Sequence, residues 1–388
     1  MSIIKQVENN KELESCIEHL QTVPEFGIDL EFDKNRFRYG FNLCLMQIFS
    51  GEICFIIDPL SEGLEIEKIF PVIENPAIQK ITFAFGEDLR LLHSLGCFPK
   101  NIYDTTNAIK LLNYPQKSLS FMLNEILEIP EGDSAQMSNW FKRPLTEKQV
   151  TYAAEDVLHL LELKKALEKQ AEAKNISDWV AQENAILSQV NYADAEDNTL
   201  YRKKDKKELT QHEWFLMKAL IDFRETIAKK YNKPSHQIVS NDTLMSYAQN
   251  PSRVKNWEYE KGVFRGIKNS STQNKISQLL QKASNEAKEQ GLSQTDSAIE
   301  PLSRENYNKF RKSREREDEL KTTVFKPIQL EIAKDYGENT AFFALSNKFM
   351  SSVISKSVEF FPEYKAHLLI KYAEKLEVDV SEFLEEME

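Results

Sequence analysis

The sequence predicts an α/β domain followed by two all-α helical bundles. Short apolar runs typical of strands are concentrated in the first part of the 388-residue chain, and helical periodicity dominates the rest. A chain of this length exceeds one ordinary domain. We therefore expect domains at residues 1–170, 209–290 and 311–388, with a connecting helix or linker at 171–208 and a second linker at 291–310.

The sheet expected in the first domain is built from four apolar runs. They are FGIDLEF, FNLCLMQIF, EICFIID and KITFAF, and turn or polar residues separate them. Helical periodicities lie between and after these runs, at residues 87–95, 105–113, 118–128 and 147–169. This mixture predicts a domain in which helices cover a central sheet.

The helical bundles are predicted from caps and apolar stripes. Thr210 and Glu213 form a capping box, an apolar stripe follows on one helix face, and Pro234 comes after the expected helix end. The segment at 332–350 is similar to the segment at 227–245. We interpret this as a diverged internal repeat, and a chance likeness between helical segments stays open as the alternative.

Composition excludes several classes of protein. Hydrophobic residues make up 41% of the chain and charged residues 29%, as in soluble globular proteins. The first ten residues, MSIIKQVENN, lack the succession of basic, apolar and small residues expected of a signal peptide, and no apolar run approaches the roughly 20 residues of a membrane helix. The four cysteines show no metal-finger spacing, so a reducing compartment is the simpler interpretation. We expect a cytoplasmic protein that does not bind membranes.

Charge is distributed unevenly along the chain. Residues 1–170 hold 17 basic and 26 acidic residues, whereas residues 201–300 hold 18 basic and 12 acidic residues. The overall charge of −11 argues against nonspecific coating of nucleic acid. The basic cluster at 202–207 either follows a nucleic-acid backbone or is a solvated linker, and both interpretations stay open.

The first strand carries two acidic residues on one face. In FGIDLEFDKN, apolar residues alternate with Asp29 and Glu31, so both carboxylates project from the same face of the sheet. Alone, such a pair would need no explanation beyond exposure to solvent. Asp33 lies beyond the apolar alternation, and we expect it to meet solvent.

Two later helices carry further inward-facing acids. Asp88 lies near a helix start and shares its face with three leucines. Asp156 shares an apolar helix face as well, and Tyr152 precedes it by one helical turn.

These carboxylates together predict a metal site. Burying unpaired carboxylates is costly, and no Lys or Arg lies at helical or strand spacing on the same inward faces. An all-oxygen set of hard ligands suits Mg²⁺ or Mn²⁺. We therefore expect Asp29, Glu31, Asp88 and Asp156 to bind divalent metal.

The order and spacing of these residues resemble the DEDD superfamily of 3′→5′ exonucleases, in its tyrosine-containing branch. The matching motifs are DxE at 29–31, ED at 87–88 and YxxxD at 152–156. The likeness is closest to the ribonuclease D family, whose flanking motifs match IDP at 57–59, DT at 104–105 and WxxRPLTxxQ at 140–149. It covers most of residues 1–170. Residues 210–290 resemble the helicase-and-RNase-D C-terminal (HRDC) domain, and residues 315–380 resemble a second, diverged copy.

The resemblance implies a ribonuclease H-like fold with a mixed central sheet, and two-metal hydrolysis of phosphodiesters. Asp29, Glu31 and Asp156 would hold one Mg²⁺ or Mn²⁺ ion, and Asp29 with Asp88 the other. Tyr152 would orient the attacking water, and nucleoside 5′-monophosphates would leave the 3′ end. Trp140 and Arg143 would contact the substrate, although a salt bridge at the helix start is an equally open role for Arg143. The implied partner is RNA with a free 3′ end, such as a tRNA precursor, bound by a monomer.

Several positions depart from the family pattern. Phe83 stands where a histidine is usual, and Asp133, Met137 and Asn139 stand where Lys, Arg and Asp are usual. These changes bring substrate affinity, substrate choice and activity into question. Two alternatives therefore stay open, a DNA 3′→5′ exonuclease of the Werner type and a noncatalytic RNA-binding protein.

Overall fold

The computed structural model describes residues 3–132, 134–193, 200–300 and 303–384. Asp133 lies outside the described residues. The chain forms two compact units. Unit 1 comprises Met1–Glu31, Leu43–Asp194 and Asn308–Glu388, and unit 2 comprises Phe32–Asn42 and Ala195–Tyr307. None of the described helices is both long and apolar enough to cross a membrane.

A mixed sheet of six strands organises unit 1. The strands are β1 (Ile3–Val7), β2 (Glu25–Lys34), β3 (Phe41–Phe49), β4 (Ile53–Ile57), β5 (Gln79–Thr82) and β6 (Ile102–Asp104), in the spatial order β1-β4-β3-β2-β5-β6. β1 pairs with β4, β2 with β5 and β5 with β6 in parallel, whereas β3 and β4 are antiparallel. The prediction of an α/β domain with a mixed sheet is therefore confirmed.

In the described part of the first 193 residues, eight α-helices lie between and after the strands. They are α1 (Asn10–Leu20), α2 (Phe70–Ile73), α3 (Gly86–Ser94), α4 (Thr105–Leu111), α5 (Leu119–Leu127), α6 (Glu147–Leu158), α7 (Leu160–Ala173) and α8 (Ser177–Leu187). The four predicted helical segments are confirmed, but the last is divided at His159 into α6 and α7. Ala84 has a φ of 56°, a left-handed conformation, and the strand predicted to reach residue 85 ends at Thr82 instead.

Unit 2 is a helical bundle with its own core. Its helices are α9 (Lys203–Lys207), α10 (Gln211–Tyr231), α11 (Ser235–Ile238), α12 (Asn241–Gln249) and α13 (Ser270–Glu289). The predicted capping box of Thr210 and Glu213 opens α10. The backbone amide of Tyr39 donates to the Asn232 side chain at 3.2 Å, so the segment after β2 packs on this bundle.

The prediction that Asp33 meets solvent was wrong. Its side chain is buried, and its carboxylate accepts hydrogen bonds from the backbone amides of Phe37 (3.0 Å) and Arg38 (3.1 Å). Asp33 therefore closes the turn that follows β2, because a buried carboxylate is tolerated where backbone donors satisfy it.

The last helices are α14 (Arg304–Leu320), α15 (Lys326–Tyr336), α16 (Glu338–Ala344), α17 (Asn347–Ile354) and α18 (Glu363–Leu376). In unit 1, α18 packs on α8. Buried Glu183 accepts from the Tyr364 hydroxyl at 2.5 Å and pairs with Lys365 at 2.9 Å, and the Trp179 ring stacks on Tyr364 with centroids 5.0 Å apart. These helices and the sheet thus form one compact unit. The boundaries of the three predicted domains stay a prediction.

Candidate metal centre

Strand β2 and helix α6 bring three predicted ligands together. One carboxylate oxygen from each of Asp29, Glu31 and Asp156 lies within 4.8 Å of the other two. Asp29 and Glu31 are two residues apart on β2 and therefore project from one face of the strand. Asp156 joins them from the last turn of α6. The two elements are far apart in sequence, so the cluster exists only in the folded chain.

Gly27 allows α6 to approach β2 closely. A Cβ atom at this position would stand 3.1 Å from the Val157 carbonyl oxygen and 3.4 Å from the Leu160 Cβ. Val157 directly follows Asp156 on the same helix. The absent side chain of Gly27 therefore sets the distance between the Asp156 carboxylate and the β2 carboxylates.

Asp88 approaches the same strand from α3. Its carboxylate accepts a hydrogen bond from the Leu30 amide, which lies between Asp29 and Glu31. The Asp88 side chain is buried, and its Oδ1 atom has no hydrogen-bond partner among the described residues. A buried carboxylate oxygen without a donor is a site for a cation.

Asp104 holds the turn that leads into α3. Its carboxylate accepts from the backbone amides of Ala84 (3.0 Å), Phe85 (2.9 Å) and Thr106 (2.9 Å). Asp104 is also the N-cap of α4. Sequence reasoning did not foresee its bonds to residues 84 and 85, which position the start of α3 and hence Asp88. The only sequence signal for this role was the DT motif itself.

Electrostatic repulsion and burial act together on the carboxyl groups. Burial, followed by the neighbouring carboxylates, raises the pKa of Glu31 to about 9 and that of Asp29 well above its ordinary value. Burial also raises the pKa of Asp88 and of Asp156 to about 7. Without a cation, the folded protein therefore keeps protons on this cluster at neutral pH.

Tyr152 lies beside Asp156 in α6. Its hydroxyl lies near the Asp156 carboxylate and favours the ionised form of that group, and its ring lies 6.2 Å from the Trp140 ring, centroid to centroid. Burial and the surrounding acids raise the pKa of the Tyr152 phenol. The phenol is therefore a hydrogen-bond donor at neutral pH.

The donor set fits a hard divalent cation. The described part of the site offers carboxylate oxygens in a buried cluster, one of them without any donor. Such oxygens are the ligands that Mg²⁺ and Mn²⁺ prefer, and a bound cation would remove the repulsion that raises the carboxyl pKa values. The site is thus compatible with metal binding.

Trp140 and Arg143 are the two residues predicted to contact substrate. Trp140 is buried in the protein, and the Arg143 guanidinium is bonded to other groups of the protein. The Arg143 guanidinium forms a two-point salt bridge with buried Asp58 and donates to the carbonyl oxygens of Cys44, Trp140 and Lys142. All five of its N–H groups are used in these bonds. This geometry favours the alternative role of Arg143, a salt bridge near the start of α6. Trp140 is 3% exposed, and its ring is tilted by 34° relative to the neighbouring Tyr152 ring.

The acids next to the predicted ligands and the described positions that depart from the family pattern have surroundings common in folded proteins. Glu87 and Glu155, which flank Asp88 and Asp156, are exposed. Met137 is 71% exposed, and Phe83 packs against the apolar core of unit 1. None of the described departures removes a carboxylate from the cluster.

Comparisons with known proteins agree with the fold and the site. Residues 4–172 match the family model of the 3′-5′ exonuclease domain. Ribonuclease D of Gluconacetobacter diazotrophicus is 26% identical over 264 residues, which cover 67% of this chain and 67% of that protein. Ribonuclease D of Desulfotalea psychrophila is 30% identical over 250 residues, which cover 62% of this chain and 66% of that protein. The crystal structure of Escherichia coli RNase D superimposes with a TM-score of 0.67 at 21% identity and covers 97% of this chain and 99% of that one.

The mixed sheet and its acidic cluster therefore belong to a 3′-5′ exonuclease domain. More particularly, the predicted resemblance to the ribonuclease D family is confirmed, because ribonuclease D proteins align with about two thirds of this chain. The E. coli structure shows that the fold extends over nearly the whole chain. The matched segments span about two thirds of the length of the curated relatives.

Proposed function

We propose that this protein is a metal-dependent 3′→5′ exoribonuclease that removes nucleoside 5′-monophosphates from RNA 3′ ends. The observation that carries the proposal is the partly buried cluster of Asp29, Glu31 and Asp156, with Tyr152 one helical turn before Asp156. The comparisons support the reaction, because the relatives named above are ribonuclease D proteins.

The carboxylates divide into two ligand sets. Asp29, Glu31 and Asp156 would hold one divalent ion, Mg²⁺ or Mn²⁺, and Asp29 with Asp88 would hold a second. Bound divalent ions neutralise charge on the scissile phosphate and acidify the attacking water. The protein contributes fixed positions for the ligands, because β2, α3 and α6 each hold one part of the set.

Tyr152 orients the attacking water by donating a hydrogen bond. With its pKa raised above the ordinary tyrosine value, the phenol keeps its proton and is a poor general base. Its hydroxyl lies near the Asp156 carboxylate, and its ring lies beside the Trp140 ring. The role of Tyr152 is therefore geometric.

The substrate is RNA with a free 3′ end, such as a tRNA precursor, and the protein acts as a monomer. RNA is supported by the similar proteins named above, which are ribonucleases D. We place the protein in the cytoplasm, because all four cysteines are free and buried, as is usual in a reducing compartment.

Digestion of a 3′-extended RNA and of a DNA oligomer of the same sequence tests the function. With Mg²⁺ or Mn²⁺, we expect nucleoside 5′-monophosphates from RNA, and none when EDTA is present. Asp29→Asn and Asp156→Asn should be inactive, whereas Glu155→Gln, which changes an exposed acid of the same helix, should be as active as the wild type.

Two other results would replace the proposal. Preferential release from DNA would favour the Werner-type alternative. RNA binding without release of mononucleotides under either metal would favour a noncatalytic RNA-binding protein.

A further inference from the structure

A cavity of about 930 Å³ lies in unit 1, between helices α7 and α8 and strand β6. All of its lining residues belong to the segment Leu43–Asp194, and none of them is a predicted metal ligand. The lining positions of α7 and of α8 recur at helical spacing, so one face of each helix forms a wall. Small-molecule sites have volumes of about 300–1,000 Å³, and this cavity is within that range.

Two buried polar groups in the wall of this cavity have no partner. Tyr103 of β6 and Asn184 of α8 both line it, and they are 7% and 5% exposed. The Tyr103 hydroxyl and the Asn184 Nδ2 atom form no hydrogen bond with the described residues. Because an unpaired buried donor costs free energy, its presence beside a cavity indicates a place where a bound molecule supplies the acceptor.

The direction of the Asn184 amide is fixed by its neighbours. Its Oδ1 atom accepts from the Asp104 backbone amide at 3.0 Å and from the Asn107 side chain at 2.8 Å. Exchange of the amide oxygen and nitrogen would bring two donors together at Asp104, so Nδ2 is the unpaired end. Burial, followed by the charge of Glu168, raises the pKa of the Tyr103 phenol, which therefore keeps its proton as well. The inner end of the cavity thus offers two uncharged donors.

The positive charge beside Tyr103 is already paired. The Lys164 ammonium lies 5.6 Å from the centre of the Tyr103 ring, but it is bound to the Glu25 carboxylate at 2.6 Å. A buried anion at the inner end would therefore lack a free counter-charge, whereas a carbonyl oxygen would need only the two donors. The inner end suits an uncharged, oxygen-bearing group.

The outer wall, by contrast, carries unpaired positive charge. Lys165 and Lys169 are exposed, lie one helical turn apart on α7, and form no salt bridge with the described residues. Glu168 pairs with Lys164 at 3.5 Å, and Glu172 is the remaining acid among the lining residues, so the unpaired groups leave one positive charge in excess. The outer end therefore suits an anionic group.

We propose that this cavity binds a nucleoside monophosphate, with a carbonyl group of the base at Tyr103 and Asn184. The phosphate lies at Lys165 and Lys169. Since both inner donors are shielded from solvent, the ligand reaches them when the half-exposed Glu168 side chain turns outward. The choice of a nucleotide over another organic anion rests on the proposed function, because that reaction releases nucleoside monophosphates. The cavity is then a second product site, apart from the metal centre.

Isothermal titration calorimetry with uridine 5′-monophosphate in EDTA measures this binding without turnover. Tyr103→Phe should weaken binding by about 5-fold, because one buried hydrogen bond is lost. Lys165→Gln combined with Lys169→Gln should weaken it by about 3-fold, the size of effect that exposed charge pairs give. The same double variant should bind uridine, which has no phosphate, as the wild type does.

A matched control replaces a tyrosine whose hydroxyl has a partner. The Tyr114 hydroxyl donates to the Gln170 side chain at 2.9 Å. Tyr114→Phe should therefore lower the thermal midpoint and keep the wild-type affinity for uridine monophosphate. Tyr103→Phe should do the opposite, because its hydroxyl has no partner in the described part of the chain.

A crystal soaked with 5-bromouridine 5′-monophosphate in EDTA locates the ligand. We expect an anomalous bromine peak inside the cavity between α7, α8 and β6. A protein that shows this peak but releases no mononucleotides from RNA would refute the proposed activity and leave the cavity assignment intact.

The cavity proposal fails if the bromine peak is absent from the cavity or lies only at the metal centre. It also fails if inorganic phosphate binds as tightly as uridine monophosphate, since the base would then contribute nothing. A lower thermal midpoint of Tyr103→Phe with unchanged nucleotide affinity would show that the hydroxyl is bonded within the fold, which would contradict the proposal as well.

Discussion

At the scale of single residues, Asp29 has the least favourable surroundings in the absence of metal. It shares a buried site with Glu31, Asp88 and Asp156, and each of these raises its pKa. Only bound cations or bound protons relieve such repulsion. The sequence predicted this cluster, because strand and helix periodicities place each acid on an inward face. It did not predict the surroundings of Asp33 or Arg143, whose bonds depend on loop conformation and on distant partners.

The first prediction concerns the stability that the protein loses by burying the Asp29 carboxyl group without a bound metal ion. Asp29→Asn should raise the thermal midpoint of the protein in EDTA, by the equivalent of about 1 kcal/mol or more, because one repelling group is lost. It should also abolish the stabilisation by Mg²⁺ and the release of mononucleotides. Thermal unfolding with and without Mg²⁺ measures both effects, and Glu155→Gln is the control. A variant that is less stable in EDTA but still stabilised by Mg²⁺ would show that Asp29 is not a ligand.

The second prediction concerns Tyr152. Tyr152→Phe should lower kcat by about 10²-fold through loss of orientation, with little change in KM, and metal-induced stabilisation should be kept. The wild-type rate should show no inflection from a tyrosine below about pH 10, since the pKa of Tyr152 is raised. Steady-state kinetics across pH would test this. An inflection near neutral pH that disappears in the Phe variant would instead make Tyr152 a general base.

At the scale of elements, the site depends on how closely β2 and α6 pack. The sequence predicted both elements, and a capping box of Thr146 and Gln149 opens α6 in the structure. It did not predict β1, which is mostly exposed, or β6, which has three residues, because such short patterns carry little periodicity. It also gave no reason for Gly27, because the close approach of α6 is a tertiary contact.

The third prediction tests that contact. Gly27→Ala should reduce stability by about 1 kcal/mol, since its Cβ would lie 3.1 Å from the Val157 carbonyl oxygen. The shift of α6 should displace Asp156 and reduce kcat by about 10-fold or more. Gly86→Ala is the control for stability, because its Cβ would meet no atom within 4 Å. Activity and stability equal to wild type in Gly27→Ala would refute the role of this approach.

At the scale of the whole molecule, sequence periodicity predicted helices but not their partners. Helices α15 to α18 belong to the same compact unit as the sheet, through contacts such as Glu183 with Tyr364 and Lys365. These residues are about 180 positions apart, and no local pattern indicates such pairing. The HRDC-like repeat and the boundaries of the three predicted domains stay predictions.

The fourth prediction concerns global stability, pH and metal. In the metal-free protein the cluster has raised pKa values, about 9 for Glu31 and about 7 for Asp88 and Asp156. Between the unfolded values near 4 and these folded values, the folded state binds more protons, so its stability falls as pH rises. Mg²⁺ requires the ionised carboxylates. The increase in thermal midpoint on adding Mg²⁺ should therefore be larger at about pH 8 than at about pH 6.

The same experiment on Asp29→Asn provides the control, since the pH dependence of the Mg²⁺ effect should largely disappear. An equal or smaller Mg²⁺ effect at the higher pH in the wild type would mean that the cluster does not exchange protons for metal.

The central claim is that Asp29, Glu31, Asp88 and Asp156 hold the divalent metal on which catalysis depends. Anomalous diffraction from a crystal soaked in Mn²⁺ tests it most directly. We predict an anomalous peak within coordination distance, about 2.0–2.2 Å, of oxygens of Asp29, Glu31 and Asp156, and a second peak between Asp29 and Asp88. Crystals of an active preparation with no anomalous peak at this cluster, or with Mn²⁺ bound elsewhere, would contradict the account.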